Sequence, residues 1–349
     1  MGKNISKRTV SRAVIAAAIM SATALVLSAC GGAATAQNAQ GEATTLRYEG
    51  STNNVTLPEL AADLGYLGDL KLDWIGNTTS GPASIQNAAT GNTDFGGAFT
   101  GAVVKLQEAG APVKAVINYY GSDAKSFYGY YVKDDSPIKT ARDLIGKKIA
   151  VNTLGAHSEA VITTYLQKNG LSKDEIKQVQ LVVVPPNDTE EAIRRGQVDV
   201  GALNGVLQDN AIAAGGLHSL FSDYGLFGAF AGGQYVFRND FIAKNPDTVR
   251  TFTTGVAKAI EWARNTPRAQ VIQRFTDIIT KRHRNESTAT LKYFKSIALP
   301  AKGEIKDEDF QRWNSWLKDS GILSQDVNPS KYYTNEFNSL VTAGTGAKK

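Results

Sequence analysis

The chain has 349 residues, 42% hydrophobic and 20% charged, with 38 Lys and Arg against 33 Asp and Glu, a net charge of +5. Lys3, Lys7, Arg8 and Arg12 precede every acid; without them 34 basic side chains stand against 33 acidic ones, a net +1. The balance argues against nucleic acid or an anionic membrane surface as partner, and the single cysteine, Cys30, excludes a disulfide scaffold.

The basic start leads into an apolar run over 13–27, shorter than the ~18–20 residues that span a bilayer. Small residues then lead to Cys30. This is the layout of a secretory signal, and Leu27-Ser28-Ala29-Cys30 resembles a bacterial lipobox. The resemblance implies cleavage before Cys30 and lipid on its sulfur. The expectation is a signal peptide over 1–29 and a lipidated flexible tether over 30–43. The protein would then act outside the cytoplasm, attached to the membrane by a lipid anchor alone. Residues 31–42 are small and polar and bury too little surface to fold.

From residue 44 short apolar strands alternate with helical patterns. Strands are predicted at 46–49, 70–75, 93–99, 113–120 and 127–132. Helices are predicted at 57–64, with Pro58 in the first turn, at 80–90, with Ser80 as N-cap, and at 101–109. A second set follows: strands at 149–152, 179–184 (read as buried) and 198–203, and helices at 158–169, 189–195 and 207–214, closed by glycines. A strand at 235–238 precedes helices at 247–264, 268–280, 287–297 and 307–320, and a last helical segment at 332–342. Such alternation predicts an α/β chain with mostly parallel sheets flanked by helices. Stretches 128–137 and 232–240 read as two crossings between lobes. One lobe then comprises 44–132 plus 237–345, and the other 133–236.

Several segments, in this order and spacing, resemble a known family. They include Pro58-Glu-Leu-Ala-Ala-Asp-Leu-Gly-Tyr66, Thr90-Gly-Asn-Thr-Asp-Phe-Gly96, Asp143-Leu-Ile-Gly-Lys-Lys-Ile-Ala150, Gly196-Gln-Val-Asp199 and Asn245-Pro-Asp247. The family is the type II periplasmic solute-binding proteins of ABC importers, in the branch that binds alkanesulfonates, taurine and nitrate. The resemblance implies a two-lobed periplasmic-binding-protein type II fold joined by two hinge crossings. It also implies capture of a small anionic solute by lobe closure, and delivery to the transmembrane subunits of an ABC permease.

Ligands of open α/β sheets bind beyond the carboxyl ends of the strands. The loops there, 50–54, 76–81, 99–101, 153–158 and 204–206, are rich in Gly, Ser, Thr and Asn and carry no Lys or Arg. Helix N-termini hold oxyanions through unpaired N–H groups without a cation. Candidate ligand-binding residues are Asn53, Asn54, Ser80, Gly81, Thr100 and Tyr119 from one lobe and Ala156, His157 and Asn204 from the other. The same residues also make ordinary caps and turns. Trp74, Trp262, Trp313 and Trp316 read as core or lobe packing.

No metal-binding triplet, nucleophile elbow or phosphate loop is present, and Ser-x-x-Lys recurs without its companion motifs. No catalytic residue, metal or cofactor is therefore assigned. Two alternatives stay open: a neutral or aromatic solute on the same fold, and a receptor-associated sensor that feeds no transporter.

Overall fold

The computed structural model describes residues 36–78 and 80–345. The predicted signal peptide, Cys30 and the tether through residue 35 lie outside the described residues.

The chain opens with β1 (Thr45–Gly50), α1 (Leu57–Asp63) and β2 (Lys71–Asn77); β1 and β2 pair in parallel. Thr56 caps α1 in a capping box with Glu59, and Pro58 sits in the first turn. Then come α2 (Gly81–Thr90), capped by Ser80 and stopped by left-handed Gly91, β3 (Phe95–Phe99), α3 (Thr100–Glu108) and β4 (Val113–Ser122). The second set starts with β5 (Gly129–Lys133), β6 (Lys148–Val151), α4 (His157–Lys168), α5 (Lys173–Ile176), β7 (Gln180–Val183) and α6 (Pro186–Arg194). It continues through β8 (Val200–Leu203), α7 (Gly205–Ala214), β9 (Leu217–Ser222) and α8 (Asp223–Phe227). β10 (Phe230–Arg238) returns to the first set, followed by α9 (Asn239–Lys244), α10 (Pro246–Asn265) and α11 (Arg268–Lys281). α12 (Asp307–Gln311), α13 (Asn314–Asp319) and α14 (Ser339–Thr345) complete the order.

Three strands form one sheet in the order β3-β10-β4, and five form another in the order β7-β6-β8-β5-β9. The β6–β7 and β6–β8 ladders are parallel, as expected. β5 and β10 instead run antiparallel to both their neighbours. These are the strands that arrive from the other sheet, so they enter from the opposite end. The chain changes sheet within 123–128 and returns within 223–229. Residues 129–132, placed with the first lobe by the sequence reading, pair in the five-stranded sheet. The predicted crossing at 232–240 lies mostly inside β10 of the three-stranded sheet.

Several predicted elements differ. Residues 287–297 form no α-helix, only a single 3-10 turn at Leu291–Tyr293. The segment's backbone is committed elsewhere: Lys292 and Phe294 carbonyls accept from Arg268, and the Ser287 N–H donates to Asn53. Residues 332–338 are not helical, because Tyr332 and Thr334 exchange backbone hydrogen bonds with Ala115 of β4. The predicted helix 307–320 breaks into α12 and α13. β7 is an edge strand with Val183 56% exposed, not a buried one. Trp74 stays at the surface of β2, whereas Trp313 and Trp316 are core residues. β9, α8 and α9 have no counterpart in the sequence reading.

One buried carboxylate ties the two crossings. Asp223 is 0% exposed. Its Oδ1 accepts from Ser122 Oγ at 2.9 Å and from the Tyr128 N–H at 3.0 Å, and its own N–H donates to the Tyr128 carbonyl. Ser122 ends β4, Tyr128 precedes β5, and Asp223 follows β9. Replacing Asp223 by Ala strands two buried donors, at about 1–3 kcal/mol each. The expected outcome is a lower urea midpoint for Asp223→Ala and a smaller loss for Asp223→Asn, which retains an acceptor. Equal stability of Asp223→Ala and the parent chain would show that the crossings are held by other contacts.

Candidate functional site

The carboxyl ends of β3 and β4 face those of β6 and β8 across the crossings. β4 ends at Ser122, and β5 begins at Gly129, which pairs with Leu203 at the end of β8. β9 ends at Ser222, and β10 begins at Phe230, which pairs with Ser122. The helices that follow these strand ends therefore point their N-termini at one region.

Three of these helices start without a side-chain cap. They are α3, with Phe99 at its N-cap, α4, with Ala156, and α7, with Asn204. Their first-turn N–H groups lack the side-chain acceptor that a cap supplies. By contrast, Thr56 and Ser80 cap α1 and α2 by accepting from Glu59 and Ala83. The nearby cation comes from α3: the Lys105 ammonium reaches the Gly155 turn before α4.

His157, the first residue of α4, is 5% exposed and enclosed by rings. Its centroid lies 4.7 Å from Tyr128, 5.6 Å from Phe99, 5.8 Å from Tyr120 and 5.9 Å from Trp313. Nε2 lies 3.2 Å from Asp223 Oδ2, off the line of a hydrogen bond, and Nδ1 lies 3.4 Å from the Tyr120 hydroxyl. Both ring nitrogens thus face protein groups.

A tyrosine wall lies beside this box. Tyr119 stacks on Tyr235 at 4.4 Å and meets Tyr120 edge-on at 5.0 Å. Tyr119 and Tyr120 follow each other on β4, yet both are only partly buried. Gly97 makes room, since a Cβ there would come within 2.9 Å of both Tyr119 and Tyr235. The hydroxyls of Tyr119, Tyr128 and Tyr235 make no hydrogen bond to a described residue. Burial, with Asp223 adding to it, pushes the Tyr128 phenol up to about 12, and burial, with Tyr128 adding to it, raises Tyr119 further. At neutral pH both remain protonated donors.

The remaining predicted residues fall in different settings. Thr100 is fully buried, with its hydroxyl donating to the Gly232 carbonyl and accepting from Gln234. Gly81 packs on the Ala98 backbone, where a Cβ would meet Cα at 3.0 Å. Tyr119 and His157 thus meet at the Tyr120 ring, while Gly81 and Thr100 are held by Ala98, Gly232 and Gln234. Asn53 and Asn54 sit at the end of β1 against the loop after α11. There the Asn53 N–H donates to Glu286 at 2.6 Å, and the Asn54 carbonyl accepts from Arg282 at 2.8 Å.

That loop was missed by the sequence reading, although Lys281-Arg282-His283-Arg284 is a visible basic run. Arg282 pairs with Glu59 and Glu286, and Arg284 pairs with Glu59 at 2.8 Å. Arg284 also stacks 4.2 Å over the Trp74 ring. His283 and Asn285 adopt positive φ to present the two arginines. Tyr128, Asp223 and Tyr235 were missed as well; Asp223 carries only the faint signal of a Ser-Asp pair after a strand.

Glu59 is buried against both arginines. Burial raises its pKa, but the hydrogen bonds from Tyr48 and Thr56 and the Arg282 charge bring it below the ordinary carboxylate range. Its ionisation therefore stabilises the fold above about pH 4.3, and that contribution is lost as pH falls through the lower folded value. For Glu59→Gln the expected outcome is a loss of about 3–5 kcal/mol near neutral pH, because Arg284 loses its carboxylate partner and Arg282 keeps Glu286 alone. The difference from the parent should shrink below pH 4 in denaturant titrations across pH. A difference constant down to pH 2 would show that Glu59 does not titrate with folding.

Comparisons with known proteins bear on the family and the fold. A family model described as NMT1/THI5 like matches residues 54–270. An aliphatic sulfonates-binding protein of Escherichia coli (strain K12) is 26% identical over 235 residues, 66% of this chain. The chain spans 64% of that relative's length. The solved alkanesulfonate-binding protein SsuA from Xanthomonas axonopodis pv. citri, bound to MOPS, superposes with a TM-score of 0.66 at 19% identity, over 84% of this chain and 99% of that one. The desulfurization enzyme DSZB superposes with a TM-score of 0.58 at 16% identity, over 87% and 99%. The fold is the two-lobed α/β fold of periplasmic binding proteins, and the chain belongs to the NMT1/THI5-like family.

Proposed function

We propose that the chain is an extracytoplasmic solute-binding lipoprotein that captures a small organic oxyanion, an aliphatic sulfonate or taurine above all, and hands it to an ABC permease. The observation that carries this reading is the set of three uncapped helix N-termini, α3, α4 and α7, at the facing strand ends. Their free N–H groups and partial positive charge suit an oxyanion. The hydroxyls of Tyr119, Tyr128 and Tyr235 add donors, and their rings wall the organic part. The lobes follow the sheets, with 44–122 plus 230–345 on one side and 129–222 on the other, and the crossings 123–128 and 223–229 act as the hinge. Fold alone does not separate binding from catalysis, since DSZB shares it. Binding without turnover is the reading favoured here, because the strand ends offer anion-holding amides and Asp223 is committed to the hinge.

A second reading, an aromatic or neutral solute, draws support from the same tyrosine wall, because stacked rings favour a flat ligand. Calorimetric titration of protein stripped of carried-over ligand separates the two. The panel holds methanesulfonate, longer alkanesulfonates, taurine, nitrate, sulfate, an aromatic sulfonate and an aromatic carboxylate. Micromolar binding of one alkanesulfonate class, without sulfite release, is expected. Binding of the aromatic carboxylate alone would establish the second reading.

Asn204→Asp is close to isosteric and places a negative charge at the N-terminus of α7. Its expected thermal midpoint is unchanged or higher, while oxyanion affinity falls at least tenfold. Unchanged affinity would remove α7 from the site. The lipid anchor has a separate check: Cys30→Ser should move the protein from the membrane fraction to the soluble exported fraction, and the parent's N-terminal fragment should carry the mass of acyl chains.

A further inference from the structure

Among the described residues, the most buried arginines, Arg282 and Arg284, are paired with acids. Arg312, half-buried at the end of α12, is not. Its guanidinium lies over the rings of Phe230 at 4.8 Å and Phe227 at 5.7 Å. Its Nε is buried without a hydrogen-bond partner, and it forms no ion pair with a described residue. Burial lowers its pKa even though Asp309 and Glu308 act the other way. Asp309 is itself bonded to Asn118 at 3.0 Å.

Arg312 lines a groove of about 460 Å³ with Ser315, Phe227 and the Thr164, Gln167 and Lys168 side of α4. The Lys168 ammonium donates to the Leu226 carbonyl at 3.1 Å and stands 5.2 Å from the Phe227 ring, with no carboxylate of a described residue in ion-pair range. The acid at the rim, Asp319, is engaged by Lys173 and Gln167, each at 2.8 Å. The Ser315 hydroxyl makes no hydrogen bond to a described residue. Two cations and a hydroxyl thus converge on one groove, where a guanidinium with its Nε buried lacks the acceptor that burial normally requires. The rings of Phe230 and Trp313, which contact His157, stand between this groove and the strand-end site.

We propose that this groove is a second anion site, taking a small tetrahedral oxyanion such as inorganic sulfate or phosphate between Arg312 and Lys168. The planar guanidinium offers paired N–H donors to two oxygens, and the Lys168 ammonium and Ser315 hydroxyl take the others. Lys168 rides on α4, which follows β6 of the five-stranded sheet, and Arg312 ends α12, which packs on α3 and on β10 of the three-stranded sheet, so an anion held by both links the two sheets.

The test uses the full purified chain, with inorganic sulfate as the titrant at constant ionic strength and selenate as an anomalous scatterer in crystals. An anomalous peak beside Arg312 is expected. Arg312→Met and Lys168→Met should each weaken sulfate binding at least tenfold, while Asn204→Asp leaves this site unchanged. Lys168 is exposed, so its variant keeps the test valid if Arg312→Met fails to fold. Selenate absent from the groove, or sulfate affinity unaffected by Lys168→Met, overturns the proposal. Loss of all sulfate binding in Asn204→Asp alone also overturns it, by assigning the anion to the strand ends, and leaves the oxyanion reading of that site standing. Selenate beside Arg312 with none at the strand ends supports the groove and counts against that reading.

Discussion

The arrangement of this molecule depends on a single desolvated carboxylate. Asp223 accepts from the last residue of β4 and from the residue before β5, while itself following β9. Two chain crossings that could splay apart are thereby fixed at one oxygen. The other oxygen faces His157 at the start of α4. A buried charge is costly unless its lone pairs are used. Here their use sets the distance between two sheets, which sets whether the helix N-termini beyond the strands can meet one ligand. On the proposed reading, the hinge and the ligand site are consequences of the same hydrogen bonds.

On the proposed reading, the scarcity of cations at the strand ends has a mechanistic sense. A ligand closes two lobes only by as much as it prefers the closed state. A strong cation on one lobe would hold an oxyanion in the open state too, which lowers that preference. Backbone amides from α3 on one side and α4 and α7 on the other hold it well only when both are present. Arg282 and Arg284, the strongest cations near β1, are neutralised by Glu59 and Glu286, so they shape the rim instead of attracting the anion there.

Strands and capped helices were legible because their signals are local. Alternation marked β1 and β2, Pro58 and Ser80 marked the starts of α1 and α2, and glycines marked several helix ends. The uncapped ends Ala156 and Asn204 were found by their place after strands. What escaped was set by distant partners. Residues 287–297 carry helical apolar spacing, yet Arg268 on α11 claims the Lys292 and Phe294 carbonyls. Residues 332–334 pair with the free edge of β4, and 335–338 turn instead of continuing as a helix. Trp74 is a strand residue of core type held at the surface by a guanidinium from a loop more than two hundred positions away. Asp223 announces itself in sequence only as an acid at a short helix start.

Gly232 and Gly233 show how a correct signal can carry the wrong cause. Read as sequence, they open the stretch 232–240 that is expected to cross between lobes. In the structure they lie inside β10, between β3 and β4, and neither takes a positive φ. A Cβ on Gly233 would lie 2.2 Å from the Ala98 carbonyl oxygen and 2.3 Å from the Tyr120 ring, and one on Gly232 would lie 2.6 Å from the same ring. The pair supplies room rather than motion. It lets the Tyr120 ring lie flat across the strand and bring its hydroxyl to His157, whose far nitrogen faces Asp223. Small residues in a central strand, a tyrosine laid over them, a histidine and a carboxylate form one continuous contact from the three-stranded sheet to the five-stranded one. The contact between the two sheets therefore begins at two glycines, because only a residue without a Cβ leaves room for the Tyr120 ring.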